Sequence, residues 1–138
     1  MLFQYSEVCR NLIKREMITG GQSMNKQKLR ELGIDVDSAL ERLGGNAALF
    51  ERLLQAFLVD PNYGELLKAL EERDVEKAFA AVHTLKGVCI SLSLSRLYEP
   101  VSEMTEYLRA GDLASAQAQL PAVSQVYEQL TTNLSHAF

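Results

Sequence analysis

The sequence predicts an all-α fold: an up-down antiparallel four-helix bundle with additional short N-terminal helices. Three observations predict it. Apolar residues recur at intervals of three and four along most of the chain, β-type alternation is absent, and the periodic stretches are joined by short turns. The composition agrees: 138 residues, 47% hydrophobic, suit one domain that buries a core without a disulfide or metal staple. Eight glycines, three prolines and interspersed charges belong to a packed helical domain rather than a disordered tail.

The elements follow in order. Residues 2–17 place Val8, Leu12 and Ile13 with Phe3 or Tyr5 at helical spacing, and Gly20-Gly21 make 18–25 a loop. The first helix either joins the core or rides on it; as an exposed seam it would alternatively make a homodimer. A short helix over 26–32 ends at Gly33. Ser38 and Glu41 have capping-box spacing, with Asp35 and Asp37 as competing caps, and this helix stops at Gly44-Gly45. Asn46 caps the next helix, whose apolar positions include Leu49, Leu53, Ala56 and Phe57. Pro61 interrupts it, and Asn62 with Glu65 again has capping-box spacing, so the helix kinks or restarts there before ending near Arg73.

Asp74 caps a helix with an apolar stripe of Val75, Ala78, Phe79, Val82, Leu85 and Cys89. The polar run over 91–95 either ends it or lets it continue imperfectly. Residues 96–109 form an amphipathic helix with Leu97, Val101, Met104 and Leu108 on one face, closed by Ala110-Gly111-Asp112. In the last helix Ala116, Leu120, Val123, Tyr127, Leu130 and Leu134 form a bundle seam, with a slight bend at Pro121. The domain division is an accessory helix and loop over 1–33, the bundle over 34–134 and a tail over 135–138.

Charge narrows the function. A net charge of -4 disfavours nucleic acid and anionic membrane surfaces, which need a concentrated positive field. Lys26, Lys28 and Arg30 make a solvated helix face. Cys9 and Cys89 lie among apolar residues without metal-ligand spacing, as two core thiols of a reducing compartment would. No stretch has the length of a membrane span and no secretion signal is present, so the expected location is the cytoplasm, either as a free chain or as part of a larger kinase.

One residue stands apart. At about 100° per residue, Val75, Ala78, Leu85 and Cys89 fall within about 60° of Val82, whereas His83 lies about 100° away on the flank or solvent side. Its neighbours there are Glu76, Ala80 and Gly87. Ala80 and Gly87 leave little bulk beside the imidazole, and a glycine within a helix costs about 1 kcal/mol against alanine. Either another protein approaches the ring closely, or a neighbouring helix packs against Gly87.

The run Ala81-Val82-His83-Thr84-Leu85-Lys86-Gly87 resembles the signature of histidine-containing phosphotransfer (HPt) domains, the four-helix relay modules of multistep two-component signalling. The family's histidine, leucine, lysine and glycine stand here at His83, Leu85, Lys86 and Gly87, with Asp74 opening the helix and Leu92 and Leu97 at apolar family positions. The resemblance runs over 34–134, including the short helix ending in Gly44-Gly45 and the turn at Gly111-Asp112. It departs at Ile90 and Ser93, where the family usually has small residues, often glycine.

The resemblance implies that His83 is the phosphoacceptor, taking a phosphoryl group from one receiver-domain aspartate and passing it to another. Neutral imidazole offers the unshared nitrogen pair this needs. Lys86, one turn away, offsets the phosphoryl charge; Gly87 and Ala80 give docking clearance; Ile90, a departure from the family, either narrows the set of partners that dock or supplies an apolar contact for one. The implied partners are response-regulator receiver domains and a hybrid histidine kinase. No cofactor is expected in this chain, and Mg2+ is expected in the receiver. The chain has no glycine-rich phosphate loop or Walker pattern for ATP, and its two histidines lack a metal-binding constellation. His136, near the C-terminus, reads as a surface residue.

Two rivals remain. One is a non-catalytic helical interaction module with an incidental His83. The other is a general acid-base enzyme, which needs a lined pocket where the sequence places only Ala80 and Gly87.

Overall fold

The computed structural model describes residues 25–137. Expectations for residues 2–17, including the first helix, its homodimer seam and the burial of Cys9, lie outside the described residues.

Among the described residues seven helices follow one another: α1 Lys26–Glu31, α2 Val36–Arg42, α3 Ala47–Phe57, α4 Asn62–Glu71, α5 Val75–Leu92, α6 Ser95–Arg109 and α7 Leu113–Leu134. No strand occurs among the described residues; there is only an isolated bridge between Ile34 and Leu94. The bundle's four arms are α3 with α4, α5, α6 and α7, and each packs on its sequence neighbour. The ring closes where α7 meets the first arm. Tyr127 stacks on Tyr63 with centroids 3.8 Å apart and meets Phe57 edge-on at 5.6 Å, while the Tyr63 hydroxyl bonds Ser124 Oγ at 2.7 Å.

Local chemistry sets the helix starts. Asn25, Asp35, Asn46, Asp74 and Asp112 each accept a hydrogen bond from the backbone N–H three residues on, at 3.0–3.1 Å. At α2 the competition among caps is thus decided for Asp35. The expected box at Asn62 is corrected. Asn62 is the first residue of α4 and caps nothing; its backbone and side-chain amides donate to Asp60 Oδ1, at 2.8 and 2.6 Å. Pro61 cannot donate to α3, and the chain restarts rather than kinks, with Leu58–Asp60 outside both helices.

The polar run after α5 ends that helix. Ser93 adopts the left-handed conformation at φ +54° and lets the Leu94 N–H reach the Cys89 carbonyl at 2.9 Å. The opening segment is tied to this turn by the Asp35 N–H, which donates to the Ser93 carbonyl at 3.0 Å. The core takes in Leu29 and Ala137, so the packing extends beyond the 34–134 division at both ends. Tertiary contact, which spacing does not reveal, recruits them.

Candidate functional site

α5 positions the site. It is an 18-residue helix opened by the Asp74 cap, and it buries Ala78, Ala81, Val82, Leu85, Cys89 and Leu92. Burial pushes the Cys89 thiol up to about 12; a backbone hydrogen bond offsets part of the rise, and the negative charge of Asp60 adds to it. The opposite face carries Glu76, Ala80, His83 and Gly87, all exposed.

His83 is exposed on the middle of α5, and no described residue hydrogen-bonds its ring. Its surroundings differ on the two sides. On one, the Phe79 ring lies one turn back, with centroids 5.5 Å apart and planes at 30°. The Arg109 guanidinium stands 5.2 Å from the Phe79 centroid and pairs with Glu106 at 3.2 Å. Lys86 projects from this side at about -60° from His83, half-buried and without an ion pair among the described residues.

On the other side lies a groove of about 560 Å³, lined from α5 by His83, Thr84, Gly87, Val88, Ser91 and Leu92. Leu43, Leu53, Asp60 and Asn62 supply its far side. This corrects the expectation of no lined concavity at His83. Four of the lining residues precede His83 by more than twenty positions, and no spacing within one helix reveals them. The only sequence signal was the Asp60-Pro61-Asn62 interruption, which reads as a helix boundary.

The two explanations of Gly87 are separated. A Cβ built there meets nothing within 4 Å, so no described neighbouring helix packs against it. Thr84 Oγ1 donates to the Ala80 carbonyl at 3.0 Å, its hydroxyl satisfied within the helix. Ile90 is 47% exposed but lines a different concavity with Asp35, Ser38, Arg42 and Tyr98, and its carbonyl accepts from Arg42 Nη1. His83, Gly87 and Ala80 therefore share one face, Lys86 flanks it, and Ile90 stands beside another hollow. His136 is exposed in the last turn, its carbonyl accepting from Lys28 Nζ at 3.3 Å.

Among the described residues no three His, Cys, Asp or Glu side chains converge as metal ligands, and no helix is long and apolar enough to cross a membrane. The arrangement offers an accessible imidazole on a helix, an ammonium one turn on with no ion pair among the described residues, and open space on the same face. No curated protein and no solved structure shows a significant match to the chain. A family model, the Hpt domain, matches residues 35–133, from the cap of α2 to the last turn of α7. With that match spanning every arm of the bundle and the helix that displays His83, the chain belongs to the Hpt domain family.

Proposed function

We propose that His83 accepts a phosphoryl group from a receiver-domain aspartate and passes it to a second receiver aspartate, in the cytoplasm. Membership in the family implies phosphotransfer in two-component relays and interaction with receiver domains and kinases. The observation that carries the assignment to His83 is its exposed ring, unbonded by the described residues, beside a Gly87 with open space. In the forward step an imidazole nitrogen forms the P–N bond as the P–O bond of the aspartyl phosphate breaks, and the aspartate leaves as carboxylate. The return step reverses both changes. Lys86 offsets the added charge of roughly -2 from the surface, and the receiver supplies the Mg2+.

Incubation with a phosphorylated receiver and Mg2+ is expected to label the chain with an acid-labile, base-stable phosphoryl group. His83→Gln abolishes the label while preserving helicity, and His136→Gln leaves it intact. Labelling retained in His83→Gln would overturn the assignment. A folded wild-type chain that no receiver of its source organism labels would be an interaction module instead.

A further inference from the structure

For a nucleophile, His83 has few neighbours to hold it. A helical side chain leans back over the residues three and four before it, so the imidazole lies over Ala80 or against Phe79. Ala80 offers only a methyl group, and the open space at Gly87 stops no ring that swings the other way. Thr84 turns its hydroxyl to the Ala80 carbonyl at 3.0 Å, and no described residue hydrogen-bonds the imidazole. The clearance that admits a partner therefore gives the ring no support. Phe79 is the exception. Its ring meets that of His83 with centroids 5.5 Å apart and planes at 30°, an offset contact of the kind aromatic rings favour.

We propose that Phe79 is a positioning residue for the phosphotransfer, a wall that holds the His83 ring with its edge toward the receiver. The role rests on the reading of His83 as phosphoacceptor. Phe79 is itself held: half-buried, it packs against the core. From α6 the Arg109 guanidinium stands 5.2 Å from its centroid and is paired with Glu106 at 3.2 Å. The contact also suits the chemistry. The nitrogen lone pair lies in the imidazole plane, so a ring laid against another gives up one face and keeps its edge free to attack phosphorus. Phe79 stands on the side of His83 away from the groove, so this support leaves the groove and the space at Gly87 open to a receiver.

The size of the effect follows from counting orientations. Two χ1 wells and a broad, roughly two-fold χ2 give an unsupported helical imidazole about four arrangements. A docked receiver holds its phosphorus in one place, and the alignment of the reacting atoms then sets the rate. Losing the wall should therefore slow transfer about three- to fourfold without weakening docking. Leucine at 79 keeps an apolar side chain but has no flat face, whereas tyrosine keeps the face.

The test compares two phosphoryl donors on the full-length chain. With a phosphorylated receiver and Mg2+ in single turnover, Phe79→Leu should lower the rate at saturating receiver about three- to fourfold. The half-saturating receiver concentration should not change, and Phe79→Tyr should restore the rate. Phosphoramidate is the second donor: its P–N bond breaks as the imidazole forms a new one, and ammonia leaves. Small and free in solution, it meets the ring in any orientation, so wild type and Phe79→Leu should label at the same rate. Equal slowing with both donors would trace the loss to the imidazole or the fold, and a raised half-saturation alone would make Phe79 a docking contact. Either result overturns the proposal, as does an unchanged saturating rate in Phe79→Leu or a loss that tyrosine does not restore. Nuclear Overhauser cross-peaks between the two rings are expected in the wild type without any receiver, and their absence also overturns it. A wild-type chain that phosphoramidate labels and no receiver labels would end the relay reading and this role together; an unchanged rate in Phe79→Leu ends this role alone.

Discussion

The two faces of α5 are made from the same helix and answer to different constraints. On the inner face Val82, Leu85 and Cys89 are closed in by the other arms, so volume and shape decide each position. On the outer face Ala80, His83 and Gly87 meet so little that the fold leaves their identity open. A glycine in mid-helix with nothing packed against it lowers helix stability and gains no internal contact. What it gains must therefore come from outside the bundle. The inner face is read as stability and the outer face as encounter.

The sharpest break between the faces is a pair of variants. Leu85→Ala, at a position fully closed from solvent, should cost about 2–5 kcal/mol in chemical denaturation. His83→Gln, two residues away on the outside, should shift stability by no more than about 0.5 kcal/mol while removing phosphoryl labelling. Comparable losses at both positions would mean that the outer face is structural after all.

Alkaline pH acts on buried groups of the inner side. Folded Cys89 holds its proton up to about 12 rather than 9.0, and Tyr127, half-buried beside the negative charge of Asp60, up to about 12 rather than 10.0. Below the ordinary values both states are protonated and the difference is silent. As pH rises from about 9 to 12 the unfolded chain loses these protons and the folded chain keeps them, so stability falls through that window. Denaturation midpoints at pH 8 and 10.5 should show the fall, and Cys89→Ala should make it shallower even though that variant starts less stable.

Gly87 gives the reverse sign on the outer side. Gly87→Ala should stabilise the chain by about 1 kcal/mol, because the added Cβ meets nothing and the helix gains propensity. Gly87→Arg should keep that stability and slow transfer from a receiver at least tenfold. An unchanged transfer rate would separate the clearance at Gly87 from docking.

The smallest effect is expected where α5 ends. Ser93 occupies a left-handed conformation that suits glycine, with its Oγ buried and without a partner. Ser93→Gly relieves both, offset in part by the greater freedom of glycine in the unfolded chain, for a net gain of roughly 0.5–1 kcal/mol. A loss of stability in thermal denaturation would show that the serine contributes a contact of its own.

The sequence by itself determined what depends on neighbours within one or two turns. The Asn46 and Asp74 caps reach only three residues along the chain, so spacing is enough to find them. The 3.6-residue period likewise separated Val82 from His83, and the turn at Gly111 from the helices on either side. The run around His83 was legible for the same reason: each of its residues lies within one helical turn of the ring. Tertiary structure alone decided the rest. It brought Leu43, Leu53, Asp60 and Asn62 to the side of His83, recruited Leu29 and Ala137 into the core, and turned Asn62 from a cap into a donor to Asp60. It also settled whether a neighbouring helix fills the space at Gly87. A helix wheel fixes a residue's direction on its own helix, whereas a groove needs the separation and rotation of two helices. Those are set by packing among residues twenty to fifty positions apart, which no local pattern encodes.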